Sequence, residues 1–169
     1  MIGSTFFPHY RMLIKDGIRF FLPLLLTVVF FIVASTISTA QAAEEEPTVG
    51  SVKTVTGTAN LNRNGQLLIA HVGDHLYKND ILVTADNSSL GVIFRDDTIL
   101  SLGSRSEVCI DEFIFDPAHD DVSFVTSVSK GTAQFISGQI AKVAPDKMTV
   151  ETPLSTIGIR GTRFLVKVD

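Results

Sequence analysis

The residue types in this chain that could carry chemistry are four histidines, one cysteine, a cluster of carboxylates and one arginine set between glycines. His71 and His75 stand four apart, a zinc-pair spacing on a helix. Gly73-Asp74 lies between them, however, and the region reads as strand and turn with no third ligand at a suitable distance, so both are expected as exposed turn residues. His9 lies in an N-terminal targeting segment and His119 in an acidic loop. Asp111, Glu112, Asp116, Asp120 and Asp121 could offer oxygens to calcium, but they lack the Asp-x-Asp-x-Asp-Gly ligand spacing and are expected to form a solvated surface. No Gly-x-Ser-x-Gly elbow and no Gly-rich phosphate loop occurs. Ser104 and Ser106 fall in a turn with no base in view. The expectation is a protein that is not an enzyme, with no cofactor and no metal.

Cys109, in Val108-Cys109-Ile110, is the sole cysteine, so no intramolecular disulfide can form; its apolar setting predicts burial. Arg160 is the remaining candidate. Gly158 and Gly161 bracket it, which lets the chain turn sharply there. Its five donors in a fixed fork could hold carbonyls or a buried carboxylate and pin a last strand over residues 164–168. The alternative is an anionic ligand or a partner's carboxylate.

The elements that must position these residues are strands. From residue 49 onward, short runs of Val, Ile, Thr, Leu and Phe alternate with Gly, Asn and Asp turns. Val49, Val52, Val55, Ala59 and Leu61 mark the first run, and Asn64-Gly65 is a strong hairpin signal. Leu90, Val92 and Phe94 share one face of a strand, opposite Gly91, Ile93 and Arg95. In the run 108–115, Val108 and Ile110 are set against Cys109, Asp111 and Phe113. Strands are expected at 122–128, 132–136, 140–143 and 148–151, with a tight turn at Lys130-Gly131 and no helix after residue 43. Roughly ten strands imply an all-β domain, solenoid-like or rolled, with a sandwich as the alternative.

The first 42 residues read separately. Arg11, Lys15 and Arg19 flank the uncharged apolar run 20–34, and Ala40-Gln41-Ala42 fits a small-x-small cleavage signature. This is the layout of a signal peptide, or failing cleavage an N-terminal hydrophobic helix acting as an anchor. Residues 1–42 are thus assigned to targeting, 43–48 to a linker and 49–169 to the β domain. Either reading exports the domain, to the periplasm or beyond, or to the periplasmic side of the inner membrane if the segment stays. From Ala43 onward there are 11 basic and 17 acidic residues, a net charge of −6, which disfavours nucleic acid and anionic membrane surfaces as partners. The membrane enters only through an uncleaved N-terminal segment.

The order of motifs resembles the FecR domain of bacterial envelope proteins. Gly50-Ser51-Val52 with Val55-Thr56-Gly57 is similar to its opening. Residues 72–80, with Gly73, Asp74 and Asp80, are similar to its first turn motif. Leu82-Val83-Thr84, Ser88-Ser89, Phe94-Arg95-Asp96-Asp97-Thr98 and Leu100-Ser101-Leu102-Gly103 resemble its core, and residues 131–138 its glycine-flanked hairpin. Thr152, Pro153, Gly158, Arg160, Gly161 and Thr162 resemble its closing motif, the most specific of the set. Two positions depart: Asp97 stands where the family usually has Gly, and Gln134 stands near a usual Arg. The resemblance implies a sensing or binding module that works in signalling through an envelope protein partner. An envelope scaffold or a cell-wall glycan binder is the alternative. The founding regulators resemble a three-part chain with a cytoplasmic segment and a further C-terminal domain, so sigma-factor control is not carried over. With no Trp, and with Tyr77 the only Tyr outside the targeting segment, the domain is thinly equipped for sugar stacking.

Overall fold

A computed structural model describes residues 46–160 and 163–169. The targeting segment, its cleavage signature, Gly161 and Thr162 lie outside the described residues. The described chain is mostly strand: β1 (Gly50–Thr56), β2 (Ala59–Arg63), β3 (Gln66–Ile69), β4 (His75–Leu76), β5 (Ile81–Thr84), β6 (Ser89–Phe94), β7 (Ile99–Leu102), β8 (Glu107–Asp116), β9 (Asp121–Ile136), β10 (Met148–Glu151), β11 (Thr156–Gly158) and β12 (Arg163–Val168). The all-β expectation holds. Among the described residues, no helix is long and apolar enough to cross a membrane.

The strand order is β3-β2-β5-β8-β9-β7-β6-β1-β4. Consecutive strands β1 and β2, two residues apart in the chain, lie near opposite ends of that order, and so do β3 and β4. The sheet must therefore curl until its ends meet. Short links carry the chain across the seam, from β1 to β2 through Gly57-Thr58 and from β3 to β4 through residues 70–74, and Arg63 Nη2 in β2 donates to the His75 carbonyl in β4 (2.9 Å). The Asn64-Gly65 hairpin joins β2 and β3 as expected, with φ of 52° and 82° at its two central residues.

The inner face of the curl is the core. Leu90, Val92 and Phe94 are buried as the alternation predicts, with Leu61, Leu82, Leu100, Leu102, Val108, Ile110 and Val150. Phe94 packs against Phe113 (centroids 5.6 Å) and Phe124 (4.6 Å), and Phe135 stacks on Phe164 (4.9 Å). Phe113 was expected on the face opposite Ile110. A register shift between Ile110 and Glu112 inserts an extra residue, and Phe113 turns inward.

Two further expectations fail for identifiable reasons. Lys130-Gly131 is not a turn: β9 runs through it for 16 residues. Gly131 has φ 82°, and a Cβ there would lie 2.5 Å from the Ser106 Cα, so only glycine lets the strand bend so close to its neighbour. On one side of this point β9 lies between β8 and the parallel β10; on the other it lies between β7 and β12. Residues 140–143, expected as strand, form a single helical turn, α1 (Ile140–Val143). Its leading amides are taken from outside: Gln139 N–H donates to the Asp96 carbonyl (2.6 Å) and Ile140 N–H to the Asp96 carboxylate (3.3 Å). Ile140 and Ala141 are buried beneath the turn, and Pro145 follows it.

Gly131→Ala should combine backbone strain with a collision and lower unfolding stability by about 2–4 kcal/mol. Gly65→Ala shares the positive φ but meets nothing nearby, and should cost only about 1–2 kcal/mol. Urea unfolding of the two variants measures the difference.

Candidate functional site

Three polar clusters hold the curled sheet. In the first, the Asp80 side chain is fully buried and receives Arg63 in a fork: Nε to Oδ1 at 2.8 Å and Nη2 to Oδ2 at 2.8 Å. Tyr77 N–H donates to the same Oδ2 (2.9 Å), and Arg63 Nη2 also donates to the His75 carbonyl (2.9 Å). The guanidinium sits 4.3 Å above the Tyr77 ring. Its hydrogen bond to Asp80 holds the Arg63 pKa above its ordinary value, against the opposing effect of burial. The pair ties β2 to the turn before β5, and the turn is further held by Asn79 N–H donating to the Ile110 carbonyl (2.7 Å).

The second cluster is centred on Asp96, also fully buried. Its carboxylate accepts from Thr98 N–H (3.0 Å), Thr98 Oγ1 (2.7 Å) and Ile140 N–H (3.3 Å), while Gly138 N–H donates to Thr98 Oγ1 (2.9 Å). A Cβ at Gly138 would run into the Asp96 carbonyl oxygen. Asp97 adopts φ 66°, as its place in a usual glycine position requires, and accepts a bond from Gln139 Nε2 (2.9 Å). In the third cluster, the Thr84 hydroxyl donates to the Gly103 carbonyl (2.6 Å) and accepts from Ser106 N–H (2.9 Å). Ser106 Oγ in turn bridges the Thr132 carbonyl (3.0 Å) and Thr132 N–H (2.8 Å).

The structure separates the other sequence candidates. His71 and His75 border a shallow groove of about 380 Å³ with Leu61, Arg63, Ile69 and Tyr77. Asp74 there caps its own turn, accepting from His71 N–H at 2.7 Å. His119 pairs with Asp116 (2.8 Å) on the surface. No group of three or more potential metal ligands occurs among the described residues. Asp111 accepts a bond from Ser127 Oγ (2.6 Å) across the outer face. Cys109 lies beside it, half-buried rather than buried. Desolvation, reinforced by Asp111, pushes its thiol up to about 12.

The described part of the closing motif takes in the turn between β10 and β11, β11 itself and the two residues after it. Thr152 and Ser155 close a local turn: Ser155 N–H donates to Thr152 Oγ1 (3.0 Å), and Thr152 Oγ1 donates to the Ser155 carbonyl (2.9 Å). Pro153 is exposed in this turn, and Gly158 pairs with Thr149. Ile159 is buried and bonds through its N–H to the Met148 carbonyl (3.1 Å). Arg160 is exposed and has no hydrogen bond or ion pair with a described residue, so the buried pair expected for it is not formed among them. The arginine fork on a buried carboxylate belongs instead to Arg63, itself only half-buried, which sequence reasoning passed over. No local pattern marks it, because its carboxylate lies 17 residues away.

The architecture is that of a curled, mainly antiparallel β domain whose charged interior groups serve to hold turns. The FecR protein family matches residues 80–169, and the chain belongs to that family. The match takes in Asp80, the whole Asp96 cluster and the closing motif. No curated protein and no solved structure matches the chain.

Arg63→Ala leaves the Asp80 carboxylate buried without its partner and should lower unfolding stability by about 3–5 kcal/mol. Arg160→Ala should stay within about 0.5 kcal/mol of the parent, which chemical denaturation can decide. Iodoacetamide at pH 8 should alkylate Cys109 at least about tenfold more slowly in the folded protein than in urea, since the thiolate is the reactive form.

Proposed function

We propose that this chain is an exported sensing module of the bacterial envelope that works without catalysis, through contact with another protein in a signalling role. Membership of the FecR family carries this reading, for that family is regulatory and generally non-catalytic, and its domains are typically periplasmic. The geometry supports it in two ways. The buried ionisable groups, Asp80 and Asp96, are each engaged in several internal bonds, which suits anchors better than reactive groups. Tyr77, the one tyrosine of the β domain, has Arg63 over its ring, so that face is not offered to a sugar. A protein partner is therefore the better reading than a glycan.

Crosslinking of the tagged full chain in cells, followed by mass spectrometry of the captured species and of the chain's own N-terminus, tests this. One dominant envelope protein, with an N-terminus at Ala43, is the expected result. Capture of glycan alone would overturn the protein-partner reading, and an intact N-terminus would replace the cleaved signal peptide with an anchor.

A further inference from the structure

We propose that the outer edge of β12 is the docking site, and that its occupant is an extended, acidic segment of a partner protein that adds to the sheet as one more strand. The inference rests on the protein-binding reading above and assigns it a surface and a chemistry. β12 pairs with β9 along one edge from Arg163 to Val168, and no strand among the described residues takes the other edge. The strand is six residues long, free of proline, and paired in unbroken register. Its inward side chains lock it in place: Phe164 stacks on Phe135, Val166 is buried, and Val168 packs against the core. A strand held this firmly offers its free backbone groups without an ordering cost at binding.

The outward side chains define what can pair. They are Arg163, Leu165 and Lys167, all exposed, with Leu165 at 62%. Inland from Arg163 the cross-strand register sets Ile136, Ile99 and Ile93 in one row on the same outer face. An incoming strand thus meets a pattern of cation, apolar residue, cation, backed by an isoleucine ladder. Arg163 has no ion pair with a described residue. Lys167 reaches Asp169 at 2.6 Å, but both are largely exposed, and such surface pairs exchange readily.

A second copy of β12 is a poor occupant. Antiparallel pairing centred on Leu165 would set Arg163 against Lys167 at both ends, and like charges directly opposed destabilise a strand pair. Charge complementarity instead selects a segment with Asp or Glu at alternate positions around an apolar residue. One end of the strand order, at β3, also exposes apolar residues, Leu67 and Ile69, and serves as the internal comparison.

The test places a photo-crosslinking amino acid at Leu165, or at Leu67, in the full chain in cells, with the adduct peptide sequenced. The expected result is a Leu165 adduct to a partner segment with alternating acidic residues. Its yield should fall about fivefold or more in R163E/K167E, while the melting temperature of that variant stays unchanged. An adduct to a second copy of the chain, an adduct lacking acidic residues, or a yield indifferent to charge reversal would overturn the proposal. A protein adduct at Leu67 with none at Leu165 would overturn the edge and leave the protein-binding reading standing. No protein adduct at either position would overturn both.

Discussion

Strand β9 has to serve both sides of a curled sheet without breaking, and this constraint organises the domain. One part of it is wedged between β8 and β10, the other between β7 and β12. A straight strand of that length could not follow the curl. The bend is absorbed at Gly131, where positive φ and the absence of a Cβ allow β9 to pass against Ser106. The bonds of Ser106 Oγ to both backbone groups of Thr132 then fix the geometry on the far side of the bend. The inward residues on either side, Phe124 and Val128 before it, Ala133 and Phe135 after it, thereby face one common core.

The charged interior follows from the same curvature. Where strands end in turns folded over the core, backbone amides are withdrawn from water without a ladder partner, and each needs an acceptor. Asp80 and Asp96 supply acceptors at two such places. A buried carboxylate carries a large desolvation cost unless its oxygens are filled. Arg63 and the Tyr77 amide fill those of Asp80; Thr98 and the Ile140 amide fill those of Asp96. These groups are thus committed to the fold, and surface edges and loops remain as the places to meet other molecules.

Much of this fold can be read from alternation and turn chemistry alone. Asn64-Gly65 encodes its hairpin locally, and Leu90, Val92 and Phe94 encode their buried face by period. What stayed hidden depends on distant partners. The extra residue between Ile110 and Glu112 leaves no compositional mark, yet it turns Phe113 inward. Gly131 was misread because positive φ serves a bend as well as a turn. Residues 140–143 carry strand-like Ile and Val, but Asp96, more than forty residues earlier, takes the amide of Ile140. The same reason separates the two arginines. Arg160 sits in a conspicuous motif and is exposed, whereas Arg63 sits in an ordinary strand and meets its carboxylate only in the folded chain. The closing motif was legible as a pattern; the role of its arginine was not.

The seam between the ends of the sheet also bears on how the chain acquires its shape. The hairpin of β2 and β3 can close as soon as residues 59–69 are available. β1, though it precedes them, has only the two-residue β4 to pair with until β6 arrives, with partner residues near position 90. β7 and β8 in turn keep a bare edge until β9 arrives after residue 121. A chain delivered from its N-terminus would therefore expose unpaired strand edges over much of its emergence, and pairings across such long loops form slowly. Closure of the sheet thus waits on the segment after residue 121, which pairs the open edges of β7 and β8 at once.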